Sequence, residues 1–337
     1  MNPNNLPPQV QLMQFIVGKW ISKPLYAVAE LGIADMLAQG PKTIAELARE
    51  SQTHPPSLYR VMRALASVGI FSETDDRRFA LTPMAECLKT GAMRSAAIMF
   101  NAPWNDKAWL YFLDSIRTGE TAFDKAHGMP IAQWLEQNPQ DAAVLGEANA
   151  MKAAMSHRAI VEAYDFSDIG HLTDVGGGRG VSMAEILSAH PNMTGMVVDL
   201  PYVVPEAKKL LKEKGLQERC EVRECNFFIE RAIPAGSAAY LLSHILHDWP
   251  EEQCRVILKN CRAAMKPGAK LLIVEIIIPP GNAPSIGKLL DLEMFVLGGG
   301  KERTEPEYRE LLESSGFTLS RVIPTGESIS IIEAIPA

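Results

Sequence analysis

Asp174-Val175-Gly176-Gly177-Gly178-Arg179-Gly180 is the stretch that decides the fold. Its glycines follow a short apolar segment, 172–175, and directly precede a helical pattern that begins at Val181. Glycine tolerates positive φ angles and has no Cβ atom, so a turn of this kind lets a ligand approach the main chain closely. The sequence therefore predicts a strand–turn–helix unit that binds a nucleotide at the turn.

The spacing of the glycines distinguishes between classes of nucleotide site. A dinucleotide fingerprint, G-x-G-x-x-G, that starts at Gly176 needs a third glycine where this chain has Val181, which disfavours a nicotinamide dehydrogenase. No lysine follows the glycines, so a P-loop is excluded. Asp199 ends the next predicted strand and is placed to bind both ribose hydroxyls, with a solvated strand-end acid as the alternative. A nucleoside without a pyrophosphate fits best, and S-adenosyl-L-methionine is the common one.

Short apolar strands alternate with helices from His171 onward. The predicted strands are 172–175, 196–199, 239–242 and 270–277, and the predicted helices are 181–189, 205–214 and 250–265. This alternation predicts an α/β fold with a mostly parallel, doubly wound, Rossmann-like sheet. Ligands of such a sheet bind at the carboxyl ends of its strands. We expect this cofactor-binding catalytic domain to span residues 161–337.

Residues 1–160 have a mostly helical pattern and are predicted to form a separate domain. Thr43 and Glu46 form a capping box, and a second amphipathic helix follows at 57–65. Two short strands around a polar turn at 75–78 complete a winged-helix pattern. Residues 1–150 hold 13 Lys and Arg against 15 Asp and Glu, a net charge of 13 − 15 = −2. DNA-binding proteins need clustered cations, so a packing or dimer-forming module is favoured over a DNA-binding regulator.

The composition of the 337 residues is that of a soluble globular protein, with 47% hydrophobic and 22% charged residues. The net charge of −7, without a basic block, disfavours nucleic acid and anionic membranes as partners. No secretory signal is expected at the N-terminus. The most apolar run, 271–278, is interrupted by Glu275 and is too short to span a bilayer. The five cysteines form no CxxC pair, and we expect a reduced, cytoplasmic protein.

Several motifs together resemble one enzyme family. They are Asp174 to Gly180, Asp199-Leu200-Pro201, His247-Asp248-Trp249 and Gly299-Gly300-Lys301-Glu302-Arg303-Thr304. Their order and spacing resemble the class I S-adenosylmethionine-dependent O-methyltransferases of the caffeate, acetylserotonin and hydroxyneurosporene type. The resemblance implies methylation of a hydroxyl on a small aromatic or polyketide-like secondary metabolite. It also implies a homodimer formed by the N-terminal winged-helix domain, which covers the substrate as a lid.

The resemblance also implies which residues bind the cofactor. They are Asp174, Gly176, Gly178, Asp199, Leu200, Asn226, Phe227 and Ser243. Two positions depart from the family pattern. Asn226 stands where an aspartate usually meets the adenine, and a neutral hydrogen bond is about half as strong as a charge-assisted one, so weaker cofactor binding is expected. Ser243 stands where plant members often have a lysine.

His247 is the predicted general base. Methylating a phenol or enol oxygen requires removal of its proton, and an imidazole, whose ordinary pKa lies near neutrality, suits that task. The resemblance gives Glu275 and Glu302 the role of bracketing this histidine and lets Asp248 help orient the base or the substrate. Four residues would sandwich a flat substrate, with ordinary helix packing as the alternative. They are Met151, Met155, Met294 and Phe295.

Two further readings of the sequence remain open. The same fold, with bound cofactor, could serve a decarboxylase, a hydroxylase or a cyclase, although the set of His247, Glu275 and Glu302 argues against it. A non-catalytic winged-helix regulator is the second reading. No metal-binding constellation is visible in the sequence, and proton removal by histidine needs no metal.

Overall fold

The structure is a computed structural model that describes residues 6–326 and 328–337, apart from the side chains of residues 152–157. The side chain of Met155, a predicted substrate contact, therefore lies outside the described residues. The chain divides into two compact units. Unit 1 comprises Met1–Lys107 and Leu135–Met151, and unit 2 comprises Ala108–Trp134 and Lys152–Ala337. The sequence-based division into 1–160 and 161–337 stays a prediction of the functional domains.

The first half of the chain is mostly helical, as predicted. Its elements are α1 (Pro8–Ile16), α2 (Lys19–Glu30), α3 (Ile33–Met36), β1 (Lys42–Thr43), α4 (Ile44–Glu50), α5 (Pro55–Ser67), β2 (Phe71–Glu73), β3 (Arg78–Leu81), α6 (Pro83–Glu86), α7 (Arg94–Met99), α8 (Pro103–Trp109), α9 (Phe112–Thr118), α10 (Ala122–His127), α11 (Ile131–Gln137) and α12 (Pro139–Ala163).

Strands and helices mostly alternate in the second half, except that β6 is followed directly by β7, α16 by α17 and β9 by β10. The elements are β4 (His171–Val175), α13 (Val181–Ala189), β5 (Thr194–Asp199), α14 (Val204–Glu213), β6 (Cys220–Glu224), β7 (Ala239–Ser243), α15 (Glu251–Ala264), β8 (Lys270–Ile276), α16 (Ile286–Leu297), α17 (Glu305–Glu313), β9 (Phe317–Pro324) and β10 (Ile329–Pro336).

Unit 1 contains the predicted order of helix, helix and hairpin. The backbone N–H of Thr43 donates to Glu46 Oε2 at 2.7 Å, and the backbone N–H of Glu46 donates to Thr43 Oγ1 at 3.3 Å, which forms the capping box at the start of α4. Helix α5 buries Leu58, Met62 and Leu65 on one face. Strand β3 pairs with both β1 and β2 in a small antiparallel sheet. That these elements act as a winged-helix module stays a prediction.

Unit 2 contains a seven-stranded sheet in the order β6-β5-β4-β7-β8-β10-β9. The first five strands of this order are parallel, and β10 runs antiparallel to β8 and β9. The predicted doubly wound, mostly parallel sheet is thereby confirmed. Because the strand order reverses between β4 and β7, a ligand crevice is expected where the loops after these two strands lie side by side.

The central strands are apolar because both faces of a parallel sheet are covered. Leu271 to Val274 on β8 have no exposed surface. Asp174 on β4 and Glu275 on β8 are exceptions, since both are charged residues without exposed surface near the carboxyl ends of their strands. Such residues cost stability unless they are paired or used, so they mark the edge of the sheet where the site lies. None of the helices in the described part of the chain has the length and apolar character that crossing a membrane requires.

Candidate active site

The glycine turn after β4 combines two glycines that are needed for different reasons. Gly176 and Gly178 have φ angles of +73° and +56°. A Cβ atom on Gly176 would lie 2.6 Å from Ile245 Cδ1 and 3.2 Å from Phe227 Cε1, so packing within the protein requires this glycine. A Cβ atom on Gly178 would meet nothing within 4 Å. Gly178 therefore borders open space, where a ligand can approach the main chain.

Asp199 connects the end of β5 to this turn. Its Oδ2 accepts a hydrogen bond from the backbone N–H of Gly178 at 2.8 Å, and its Oδ1 accepts one from Leu200 at 2.6 Å. Burial raises the pKa of Asp199, and these two backbone donors oppose the rise. A carboxylate offers about four acceptor positions, so sites remain for the two hydroxyls of a ribose.

Asp174 is a buried carboxyl directed at the glycine turn. It has no exposed surface, neither of its oxygens has a hydrogen-bond partner among the described residues, and a Cβ atom on Gly177 would lie 2.6 Å from its Oδ2. Burial raises the pKa of Asp174 to about 7, and the charge of Asp199 adds to the rise. A cationic ligand at the turn would offset the cost of charging this group. Together with the open space at Gly178, this fits a cofactor that carries an ammonium and a sulfonium, as S-adenosylmethionine does.

The other predicted cofactor residues lie on the loops that follow β5 and β6 and at the end of β7. Phe227 packs against Gly176, and its carbonyl accepts a hydrogen bond from Asn260 Nδ2 at 2.8 Å. Asn226 is exposed, and its Oδ1 accepts a hydrogen bond from the backbone N–H of Phe228 at 3.0 Å. Ser243 is half-buried at the end of β7. Their contacts with a cofactor stay predictions.

His247 lies in a short 3-10 turn, Leu246–Asp248, that follows β7. Its residue exposure is only 2%. Nδ1 lies 2.7 Å from Glu302 Oε1 and 3.7 Å from Glu275 Oε2, and Nε2 lies 3.4 Å from Asp248 Oδ1. The four residues predicted to be catalytic are thus brought together from three separate parts of unit 2.

The contact with Glu302 assigns the hydrogen on the imidazole of His247. An ionised carboxylate can only accept hydrogen bonds, and the contact of Nδ1 with Glu302 at 2.7 Å is shorter than that of Nε2 with Asp248 at 3.4 Å, so we assign the hydrogen to Nδ1. In the neutral ring, Nε2 then carries the lone pair. A histidine held in this tautomer by a buried carboxylate can accept a proton at Nε2, as in other acid–base pairs of this type.

Glu275 holds the main chain around the histidine. Its Oε1 accepts hydrogen bonds from the backbone N–H groups of Ile245 at 3.1 Å, Leu246 at 2.9 Å and His247 at 3.4 Å. A carboxylate without these donors would be costly in the centre of the sheet. Glu275 therefore joins β8 to the 3-10 turn. The sequence predicted only that Glu275 lies beside the imidazole, and it did not predict these backbone contacts.

Two residues near Glu302 were not predicted as parts of the site. Arg303 has no exposed surface and donates to the carbonyl of Leu246 at 3.1 Å and to Glu251 Oε2 at 3.1 Å. Its place beside Glu302 in the glycine-rich motif was an available signal. Asp291 Oδ1 accepts a hydrogen bond from the backbone N–H of Glu302 at 2.8 Å, and nothing in its sequence surroundings distinguishes it.

Two of the predicted substrate residues, Met294 and Phe295, lie on α16. Met294 and Phe295 are half-buried, and the rings of Phe295 and Phe112 are 6.4 Å apart in an edge-to-face arrangement. The ring centroids of Trp109 and Phe112 are 4.9 Å apart in a tilted arrangement, and Trp109 donates its Nε1–H to Glu293 at 2.9 Å. Met151 is half-buried in unit 1. The predicted sandwich of a substrate by these side chains stays a prediction.

One further feature concerns metals. Within the described residues, His244, His247 and Glu275 place candidate ligand atoms within 4.8 Å of one another. The hydrogen bonds of Glu275 and the pairing of His247 with Glu302 give Glu275 and His247 roles that need no metal ion. The expectation that the site uses no metal stays a prediction.

Comparisons with known proteins bear on this site. A family model described as the O-methyltransferase domain matches residues 109–318, and a model described as the O-methyltransferase dimerisation domain matches residues 13–91. This chain belongs to the O-methyltransferase family. It is 42% identical over 328 residues to the phenazine O-methyltransferase PhzM of Lysobacter antibioticus, an alignment that covers 96% of this chain and 95% of that one.

Solved structures agree. The crystal structure of LaPhzM superposes with a TM-score of 0.94 at 41% identity, covering 98% of this chain and 100% of that chain. The O-methyltransferase NcsB1 from neocarzinostatin biosynthesis, solved with S-adenosylmethionine and 2-hydroxy-5-methyl naphthoic acid, superposes with a TM-score of 0.82 at 30% identity over 94% and 96% of the two chains. This O-methyltransferase is therefore a secondary-metabolism enzyme that uses S-adenosylmethionine and carries a dimerisation domain.

Proposed function

We propose that this O-methyltransferase methylates a hydroxyl group of a small aromatic or polyketide-like secondary metabolite, with His247 as the general base. The observation that carries the proposal is the 2.7 Å contact between His247 Nδ1 and the buried carboxylate of Glu302. This contact leaves the lone pair of the imidazole on Nε2. The acceptor hydroxyl would donate its proton there as its oxygen attacks.

The cofactor and the protein would contribute different parts of the reaction. When bound, S-adenosylmethionine supplies a methyl group activated by a sulfonium. The hydroxyl oxygen is a poor nucleophile until its proton leaves, and a positioned base contributes roughly 10²–10⁴-fold to such a step. Glu302 stabilises the imidazolium that forms on His247. Its effect is large because both side chains are almost fully buried, where charges are weakly screened.

The proposed cofactor contacts use the loops after β4 and β5. Asp199 would bind the ribose hydroxyls through its remaining acceptor positions, and Asp174 would compensate the positive charge of the cofactor. Because Gly178 has no side chain, the cofactor could approach the main chain closely at this residue. The proposal is supported by the open space beside Gly178 and by the unpartnered oxygens of Asp174.

An aromatic acceptor is supported by a group of aromatic side chains in unit 2. Trp109, Phe112 and Phe295 form a series of ring contacts between α16 and the segment 108–134. Flat rings and soft side chains such as Met294 suit a planar ligand. The phenazine named for PhzM and the naphthoic acid bound by NcsB1 are aromatic as well. We further propose that the protein acts as a homodimer through its dimerisation domain.

The test uses S-adenosylmethionine with an isotopically labelled methyl group and a panel of hydroxylated phenazines, naphthoates and simple phenols. Each compound is matched with its own O-methyl ether, which has no hydroxyl to methylate. We expect label on the oxygen of at least one hydroxylated compound and none on its ether. Label on nitrogen or carbon only, or product formation without label transfer, would contradict the proposal.

A further inference from the structure

Glu302 lies in a segment that has little regular structure of its own. Residues 298–304 connect α16 to α17, and the segment begins with three consecutive glycines. Glycines increase the backbone freedom of a segment. Yet the carboxylate of Glu302 has to stay within hydrogen-bonding distance of His247 Nδ1. Contacts from outside the segment must therefore hold it in place.

Asp291 supplies one of these contacts. It lies on α16, eleven residues before Glu302, and its Oδ1 accepts the backbone N–H of Glu302 at 2.8 Å. The bond joins the main chain of the glutamate to a regular helix. Burial raises the pKa of Asp291, the Glu302 N–H opposes that rise, and the charge of Glu302 adds to it.

The segment is held on its other side as well. Arg303 bonds to the carbonyl of Leu246, directly before the histidine, and its own carbonyl accepts the N–H of Ile278 at 2.9 Å. A Cβ atom on Gly300 would overlap the carbonyl oxygen of His247, so the segment packs directly on the 3-10 turn. With these contacts in place, Asp291 is the side chain that fixes the main chain of Glu302 itself.

We infer that Asp291 is a positioning residue for the reaction, which acts through Glu302 by anchoring its backbone so that the carboxylate meets His247 Nδ1. The inference rests on the proposed role of His247 as base. Loss of the anchor would let Glu302 move away from the imidazole. A misplacement of about 1 Å in such a constellation costs on the order of 10²-fold in rate.

A double-mutant cycle tests this inference. Asp291→Ala is made in the natural protein and in the Glu302→Ala variant, beside Asp291→Asn, whose amide oxygen still accepts the N–H. We expect Asp291→Ala to lower kcat by about 10- to 100-fold and to change KM and the affinity for S-adenosylhomocysteine by less than about threefold. In the Glu302→Ala background the same change should cost less than about twofold. Asp291→Asn should recover most of kcat.

The matched control is Asp165→Ala. Asp165 also accepts one backbone N–H, from Ser167 at 2.9 Å, but it lies before the amino end of β4. We expect the kcat of the Asp165→Ala variant to be unchanged. If Asp291→Ala does not fold, Asp291→Ser is used in its place. The serine side chain is too short to accept the backbone N–H of Glu302, so we expect the same changes in kcat and KM.

Several results would overturn the inference: an unchanged kcat in Asp291→Ala, equal losses in both backgrounds, or no recovery in Asp291→Asn. The proposed function fails separately. Turnover that survives His247→Ala would remove the base itself, whereas an inactive His247→Ala with a fully active Asp291→Ala would reject only the role of Asp291.

Discussion

His247 Nδ1 and Glu302 Oε1 are 2.7 Å apart, and both side chains are buried. This pair determines which nitrogen of the imidazole can take a proton. Replacing Glu302 by Gln keeps the size of the side chain but removes its charge, and the amide can donate to Nδ1 and so favour the wrong tautomer. We expect Glu302→Gln to lower kcat by about 10²-fold or more, in line with the loss seen when a triad carboxylate becomes an amide.

The measurement for Glu302→Gln is steady-state turnover beside calorimetric titration with S-adenosylhomocysteine. Cofactor affinity should stay within about threefold, because Glu302 is proposed to act only on the imidazole. Turnover equal to that of the natural protein would show that the pair has no part in the reaction.

Asp174 predicts an unusual dependence of stability on pH. Its pKa is about 7 in the folded protein because of burial, against about 3.9 when unfolded. Between these values the folded state binds more protons than the unfolded state, so this group makes the protein less stable as pH rises from about 4 to 7. The shift of about three units corresponds to at most about 4 kcal/mol.

Asp174→Asn removes this titration. In thermal or urea unfolding without cofactor, its stability advantage over the natural protein should grow between pH 5 and pH 8. Asp165→Asn is the control, because Asp165 is exposed and the Ser167 N–H lowers its pKa. An advantage that is the same at both pH values would contradict the assignment.

Replacing Gly178 by alanine should weaken cofactor binding, whereas a comparable glycine elsewhere should affect only stability. Alanine there is strained by the φ of +56° but would meet no protein atom within 4 Å. The backbone strain should cost about 1–2 kcal/mol. We expect Gly178→Ala to lose about tenfold or more in affinity for S-adenosylhomocysteine, since the new methyl group would occupy the space proposed for the cofactor.

Gly215→Ala is the matched control for Gly178, with a φ of +69° and equally open surroundings. The Gly215→Ala variant should lose a similar free energy of unfolding and keep its affinity for S-adenosylhomocysteine. If both variants bind S-adenosylhomocysteine as the natural protein does, the cofactor does not approach the main chain at Gly178.

The dimerisation domain predicts that apolar residues of α1 are covered in solution. Helix α1 has no buried residue, and Phe15 and Ile16 are 82% and 63% exposed. Exposed apolar surface of this kind is typical of an interface. We expect light scattering to give a dimer for the natural protein and a weaker dimer for the double variant Phe15→Glu and Ile16→Glu. Ile229→Glu, also at an exposed apolar residue, should stay dimeric.

The sequence was most informative where a motif requires a backbone geometry. Gly176 and Asp199 could be assigned to one predicted nucleotide site because a strand, a glycine turn and an acid at the next strand end occur together in nucleotide folds. His247, Glu275 and Glu302 were grouped by resemblance, and the structure brings all three together.

Long-range contacts could not be predicted in the same way. The bond from Asp291 to Glu302 depends on how α16 and the following loop pack, which no local pattern records. The antiparallel strands β9 and β10 were also missed; β9 is the edge strand of the sheet, whereas β10 lies between β8 and β9. Arg303 was quoted within a motif, but only the fold shows that it bonds the carbonyl beside the base.

The central claim, that His247 removes the proton of the acceptor hydroxyl, is tested most directly by His247→Ala. Turnover with a methylated acceptor as product and the affinity for S-adenosylhomocysteine are measured on the same preparation. We predict a loss of about 10²–10⁴-fold in kcat with cofactor affinity within about threefold of the natural protein. A kcat that stays within a few-fold of the natural value would contradict the assignment of His247 as the base.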